Sequence, residues 1–148
     1  MDAVRTAIRL GAKKVSIVYR RRVADMTALP AEIEAAVAEG VELLTLVAPA
    51  GIEVDENGHV SGVRVTPQMI STIKDGRASV TASGEPDYVI PCQTMIVAIG
   101  QNIETKHYEE SGIPVSRGKI VTLPNGGFAD IPGVFAGGDC ASGPAYCY

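Results

Sequence analysis

The first third of the chain places apolar and polar residues in a pattern that alternates helices with short strands. Residues 2–10 carry apolar side chains at helical spacing, and Pro30 predicts the first turn of a second helix, where a missing N–H costs nothing. The apolar runs 15–19 and 41–47 predict strands. This helix–strand–helix–strand order at short spacing is typical of a parallel α/β sheet.

The pattern changes in the middle of the chain to short strands separated by turn residues. Residues 52–54 and 60–65 flank Asn57-Gly58, which is a strong signal for a β-hairpin. Residues 78–82 and 88–90 predict further antiparallel strands. We therefore expect a β-meander inserted in an α/β unit.

A continuous apolar run at residues 94–99 predicts a strand that is buried on both faces. Residues 102–118 are mostly polar and predict a loop, whereas 120–123 and 134–136 predict short strands. Gly137-Gly138-Asp139 follows the last of these strands. The predicted class is therefore α/β.

Composition and charge limit the function classes. The 148 residues are 46% apolar and 20% charged, which is typical of a soluble globular protein, and the net charge of −4 argues against a general nucleic-acid binder. We find no signal-peptide pattern and no run of the roughly 18 apolar residues that a membrane helix needs. We therefore expect a cytoplasmic protein without a membrane or nucleic-acid partner.

Cysteine and histidine spacing gives no sign of a metal or disulfide site. Cys92, Cys140 and Cys147 form no Cys-x-x-Cys pair, and His59 and His107 have no partner at a metal-ligand spacing. We interpret the cysteines as thiols and expect no metal. Cys140 lacks a second cysteine at a redox spacing, so we do not assign it a redox role.

The densest basic cluster, Arg20, Arg21 and Arg22, follows the first predicted strand. In a dinucleotide-binding fold, an arginine at the end of the second strand accommodates the adenosine 2′-phosphate of NADP, about 20 residues past a glycine-rich loop. Counting back places such a loop before Met1. The alternative interpretation is a solvated basic loop. The strand context favours the ligand interpretation.

Two further segments are candidate ligand contacts. Gly138-Asp139 allows a close backbone approach and offers a carboxylate to sugar or ribityl hydroxyls, although the spacing alone favours a glycine-rich turn with an aspartate that caps the next helix. The strand predicted at 94–99 ends in small residues at Ala98 and Gly100, at a carboxyl end where α/β ligands dock. That run is also consistent with an ordinary core strand.

Taken in this order, the motifs resemble one family. Residues 1–21 look like the NADPH domain of the glutamate synthase small subunit, a module that also occurs in dihydropyrimidine dehydrogenase and related ferredoxin:NADP oxidoreductases. Glu39-Gly40-Val41, residues 97–101 and residues 132–139 fit the same family. The resemblance spans nearly the whole chain.

The resemblance implies an incomplete Rossmann-like NADPH-binding domain with a β-meander at 1–101 and the carboxyl-terminal part of an FAD-binding domain at 102–148. It implies that NADPH passes hydride to FAD and that electrons leave to a partner, an iron–sulfur or glutamate synthase large subunit. The implied cofactor-binding residues hold the 2′-phosphate (Arg20, Arg21), lie near the nicotinamide and flavin (Ala98, Gly100, Gln101) or meet the FAD (Gly138, Asp139).

The family also carries glycine-rich loops upstream, a cysteine-rich cluster-binding segment and a further helix, and none of these lies in this sequence. We therefore expect a fragment of the enzyme that is inactive in isolation and that self-associates to cover exposed strand edges. The alternatives from other classes are a non-catalytic nucleotide-binding or assembly module and a purely structural fragment.

Overall fold

The computed structural model describes residues 1–100, 102–128 and 130–143, and the chain divides into two compact units, Met1–Ala98 and Ile99–Tyr148. The first unit begins with alternating helices and strands. In chain order these are α1 (Asp2–Arg9), β1 (Ser16–Tyr19), a 3-10 turn (Val23–Asp25), α2 (Pro30–Ala38) and β2 (Glu42–Thr45).

Strands β1 and β2 pair in parallel, from Ser16 opposite Glu42 to Tyr19 opposite Thr45. Helix α2 makes the crossover between them, with Pro30 at its start as the sequence predicts. The helix ends where Gly40 takes a φ of 95°, a left-handed conformation that favours glycine. The predicted parallel α/β unit is confirmed.

The rest of the first unit is antiparallel. It comprises β3 (Val47–Val54), β4 (Val60–Lys74), β5 (Arg77–Ala82) and β6 (Tyr88–Pro91). Strand β4 is the centre of this sheet because its first half pairs with both β3 and β6, whereas its second half pairs with β5. The predicted antiparallel insertion is therefore present, built around one long strand.

The core of the first unit lies where the two sheets meet. Val47, Val63 and Val65 form a buried cluster, and Val65 is fully buried. Partly buried side chains from both sheets (Val18, Leu44 and Ile90) and from the segment after β6 (Cys92 and Met95) pack against this cluster. The parallel pair is thus fixed on the antiparallel sheet by aliphatic packing.

The prediction of a strand buried on both faces at residues 94–99 is wrong. This segment forms no strand, and Ile96, Val97 and Ile99 are exposed, Ile99 to 92%. No strand among the described residues pairs with it. Because a strand needs a neighbour for its backbone N–H and C=O groups, the apolar run alone does not make one here.

The second unit is built of short elements: α3 (Lys106–Glu110), β7 (Val115–Ser116), β8 (Lys119–Ile120) and α4 (Asp139–Ser142). Strands β7 and β8 form an antiparallel pair, and Ile120 and Phe128 are buried. The predicted loop at 102–118 thus contains a helix and a strand. The strand predicted at 134–136 is reduced to a bridge between Gly127 and Phe135.

Candidate functional site

The basic cluster lies at the carboxyl edge of the parallel pair. Tyr19 is the last residue of β1 and pairs with Thr45, the last residue of β2, so both strands end at the same edge. The Leu46 N–H donates to the Arg21 carbonyl at 3.2 Å, which joins the two chain segments just beyond that edge. In α/β sheets, ligands bind outside this end of the strands.

Asp25 organises the loop that carries the arginines. Its carboxylate accepts hydrogen bonds from Arg22 Nε at 2.8 Å and Arg22 Nη2 at 2.9 Å. It also accepts from the backbone N–H of Arg22 at 3.2 Å and that of Ala78 at 2.9 Å. The Arg22 guanidinium, followed by the Ala78 N–H, holds the pKa of the Asp25 carboxyl well below its usual value of 3.8.

Two further contacts hold the same loop. The Tyr19 hydroxyl donates to the Asp25 carbonyl at 2.8 Å, and Arg22 Nη2 donates to the Gly76 carbonyl at 3.3 Å. Gly76 belongs to the turn between β4 and β5, so the loop after β1 is fastened to that hairpin. The sequence patterns do not single out Asp25. The signal was its spacing of three residues from Arg22.

The other two arginines differ from Arg22. Within the described residues, Arg20 is exposed and forms no ion pair, and Arg21 is half-buried and forms none either. Arg21 Nε is inaccessible to solvent and has no hydrogen-bond partner in the part of the chain that the structure describes. The cluster therefore separates into one paired cation and two unpaired ones.

The segment with Ala98 and Gly100 does not end a strand. Both residues are exposed, and Gly100 has a φ of 107°. Gln101 lies outside the described residues. Arg20 and Arg21 belong to the first unit, as does Ala98, whereas Gly100 belongs to the second.

Gly138 and Asp139 lie at the start of α4 in the second unit. Gly138 is the N-cap residue of α4, where it has a φ of 70° and makes no side-chain capping hydrogen bond, and Asp139 is the first residue of the helix. Asp139 lines a cavity of about 350 Å³ together with Arg117 and Lys119. The Lys119 ammonium crosses the site where a side chain on Gly143 would lie and donates to the Ser142 carbonyl at 3.2 Å.

Other chemistry is sparse in the described residues. They contain no group of three or more His, Cys, Asp and Glu that could hold a metal ion. Cys92 and Cys140 are free thiols, and Cys147 lies outside the described residues. None of the described helices combines the length and apolarity that crossing a bilayer requires.

Comparison with known families identifies the group to which these features belong. The sequence matches the family of pyridine nucleotide-disulphide oxidoreductases over residues 1–148. The chain belongs to this family. The chain is 37% identical to the glutamate synthase [NADPH] small chain of Escherichia coli over 97% of its own length and 32% of that protein. The resemblance predicted from the motifs is confirmed.

A second relative comes from another multi-subunit enzyme. The chain is 34% identical to the NADP(+)-dependent formate dehydrogenase subunit beta of Moorella thermoacetica over 97% of its own length and 20% of that protein. The chain thus spans a third or less of these relatives.

Solved structures share the fold. Thioredoxin reductase of T. acidophilum superposes with a TM-score of 0.66 at 20% identity over 89% of this chain and 38% of that one. FprA of Mycobacterium tuberculosis in complex with NADPH superposes with a TM-score of 0.53 at 15% identity over 97% of this chain and 34% of that one. The predicted α/β class of the chain is confirmed.

Proposed function

We propose that this chain is part of an NADPH-dependent flavin oxidoreductase of the glutamate synthase small-chain type. NADPH would supply hydride to FAD, and a partner subunit would receive the electrons. The chain's own contribution is the adenosine 2′-phosphate site, formed by Arg20 and Arg21. The observation that carries the proposal is that the two guanidinium groups at the carboxyl edge of β1 and β2 form no ion pair with any residue that the structure describes.

The chemistry of these two side chains suits a phosphate. An arginine stays charged at every physiological pH and offers a planar fork that pairs with phosphate oxygens bidentately. Arg20 is exposed and Arg21 is half-buried, and neither forms an ion pair with another described residue, so their guanidinium groups are free to meet an anionic acceptor. In a chain of net charge −4, such a local cation pair can select a ligand with an extra phosphate.

The third arginine has a different role in this proposal. Because the Arg22 fork is bound to Asp25, we assign it to holding the loop instead of contacting the nucleotide. The sequence predicts Arg22 as a cofactor-binding residue, and we now propose that it supports cofactor binding only by holding the loop.

The flavin side of the proposal rests on the second unit. Asp139 lines a cavity, where its carboxylate would accept hydrogen bonds from ribityl or ribose hydroxyls, and Gly138 leaves room for a close approach. Ala98, Gly100 and Gln101 are proposed near the nicotinamide and flavin on the resemblance alone. We retain 1–101 and 102–148 as the proposed NADPH-binding and FAD-binding parts.

The relatives support the same assignment. Two of them are named as a small chain and a subunit beta of NADPH- or NADP(+)-dependent enzymes, and a structural neighbour is a complex with NADPH. The words small chain and subunit beta indicate that these relatives work together with other subunits. We therefore propose a partner subunit as the electron acceptor.

The test compares two nucleotides that differ by one phosphate. We expect adenosine 2′,5′-bisphosphate to bind this chain at least tenfold more tightly than 5′-AMP, since one charge-assisted contact contributes about 1.5–3 kcal/mol. Arg20→Ala should remove most of that preference. Titration monitored by amide chemical shifts measures both affinities, including weak ones.

The matched control is Lys13→Ala. Lys13 is exposed and precedes β1 at the opposite end of the strand, and its replacement removes the same charge. Equal loss in both variants would mean that only net charge matters and would contradict the proposed site. Binding of the bisphosphate without any binding of FAD would favour the non-catalytic nucleotide-binding module.

A further inference from the structure

Asp25 is the one buried charged residue in the described part of the chain. It is 6% exposed and lies in the 3-10 turn directly after the arginine cluster. An unpaired carboxylate at such a position would be strongly destabilising. The groups that contact the Asp25 carboxylate therefore indicate its role.

The carboxylate is fully engaged by the protein. Oδ2 accepts from the backbone N–H and the Nε of Arg22, and Oδ1 accepts from Arg22 Nη2 and the Ala78 N–H. Four donors on two oxygens leave little capacity for an external ligand. Asp25 thus acts on its neighbours and not on a bound molecule.

These contacts fix both ends of a very short segment. Tyr19 is held at one end by its pairing in β1 and by its hydroxyl on the Asp25 carbonyl, and Arg22 is held at the other by the Asp25 carboxylate. Between them lie two residues, Arg20 and Arg21. The Arg21 carbonyl is itself bound by the Leu46 N–H.

We propose that Asp25 is a positioning residue that sets Arg20 and Arg21 for the 2′-phosphate by fastening the loop after β1 to the start of β5. This inference rests on the function proposed above for those two arginines. We call the Asp25–Arg22 ion pair, together with its hydrogen bonds to Ala78 and Gly76 of the β4–β5 hairpin, the clasp. The clasp holds the backbone on which Arg20 and Arg21 lie.

The physical reason for such a clasp is preorganisation. An arginine on a mobile loop loses backbone and side-chain entropy when it captures a phosphate, and this loss weakens binding. A loop that is already fixed at both ends loses less. The clasp should therefore affect the ligand that carries the 2′-phosphate and leave the rest of the nucleotide unaffected.

The first variant is Asp25→Asn, which keeps the shape and removes the charge that binds Arg22. We expect adenosine 2′,5′-bisphosphate to bind about tenfold more weakly and 5′-AMP to bind within twofold of the unaltered chain. Asp25→Glu, which keeps the charge, should recover part of the loss. A purely stabilising role for Asp25 would change both nucleotides equally or neither, and either result would overturn the inference.

Arg22→Lys is the second variant, in case the buried amide prevents folding. It keeps the positive charge but loses the fork that binds both carboxylate oxygens. The same selective loss of about tenfold is expected. Unchanged affinity for the bisphosphate in a folded Arg22→Lys chain would overturn the inference.

Asp55→Asn is the matched control. Asp55 also accepts backbone N–H bonds in a tight turn, from Asn57 and His59 at 2.9 Å each, but it lies in the β3–β4 turn. The same chemical change there should leave the preference for the bisphosphate intact. A comparable loss with Asp55→Asn would show that the effect is not specific to the clasp.

A second readout separates this inference from the proposed function. Backbone amide relaxation of Arg20 and Arg21 reports loop order without any ligand. If the unaltered chain shows no preference for the bisphosphate, the phosphate site is wrong, and increased mobility of these two amides in Asp25→Asn still supports the clasp. If the preference exists and neither mobility nor affinity changes, the clasp alone is wrong.

Discussion

Two apolar segments of this chain have similar sequences and different structures. Residues 15–19 and 94–99 are both short aliphatic runs that the sequence predicts as strands ending at a ligand-binding edge. The first forms β1 and pairs with β2 at four positions. The second forms no strand, and Ile96, Val97 and Ile99 are exposed, although Met95 packs against the buried cluster.

The difference lies in the partners that each segment finds. Strand β1 has a parallel neighbour delivered by the crossover helix α2, and Val18 packs against the buried cluster of Val47, Val63 and Val65. Segment 94–99 has neither a neighbour nor burial for Ile96, Val97 and Ile99 in the described part of the chain. An apolar run can therefore form a strand, but it does so only where a neighbouring strand pairs with its backbone.

The largest expected difference between the segments comes from one substitution made in each. Val18→Thr replaces a methyl group by a hydroxyl beside the buried cluster, where the hydroxyl has to give up water, and should lower the free energy of unfolding by about 1–2 kcal/mol. Val97→Thr makes the same change at a side chain that is 67% exposed and should shift it by less than about 0.5 kcal/mol. Urea unfolding measures both.

Equal losses in the two variants would contradict this comparison, because they would mean that Val97 is as buried in solution as Val18. An unchanged slope of unfolding against urea concentration is the control that both variants unfold from the same state.

A smaller effect tests how the end of β1 is held. Tyr19→Phe removes the hydroxyl that donates to the Asp25 carbonyl and should cost about 1 kcal/mol of unfolding free energy, the typical contribution of one intramolecular hydrogen bond. Tyr108→Phe is the matched control because the Tyr108 side chain is exposed on α3. Thermal unfolding followed by circular dichroism compares them. If Tyr108→Phe lowered the free energy of unfolding as much as Tyr19→Phe, the result would contradict a stabilising role for the Tyr19–Asp25 hydrogen bond.

The fold was predictable where local signals and pairing agree. Pro30, Gly40 and Asn57-Gly58 mark an element start, an element end and a turn by conformations that few other residues adopt, and the structure has each element there. Residues 94–99 could not be predicted, since periodicity says nothing about whether a neighbouring strand exists.

The candidate site was predictable in part. Strand context and charge singled out Arg20, Arg21 and Arg22, but could not separate the paired arginine from the unpaired ones. That separation depends on Asp25 and on Ala78, which lies 53 residues further along the chain. Contacts of such long sequence separation arise from the tertiary fold, which single-sequence patterns do not contain.

The smallest expected effect is confined to acid pH, and it too distinguishes the two segments. Arg22 holds the pKa of Asp25 below 3.8, so the ion pair stabilises the folded state above that pH, and the contribution is lost as the pH falls toward the lowered folded-state pKa. Residues 94–100 contain no ionisable side chain. We therefore expect this pH-dependent stabilisation in the loop after β1 and not in residues 94–100.

Below pH 3.8, Asp25→Asn should reduce the slope of the unfolding free energy against pH by at most the amount that corresponds to about one bound proton. Above pH 5 the slope should be unchanged. Some acid sensitivity will remain, since hydrogen bonds from Arg5 lower the pKa of Glu39 and those from Ser16 and Lys14 lower that of Glu42. Unfolding in urea at a series of pH values gives the slope. An identical slope in Asp25→Asn and the unaltered chain would mean that the Asp25–Arg22 pair is not formed in solution, and the β1 edge would then be held by strand pairing and aliphatic packing alone.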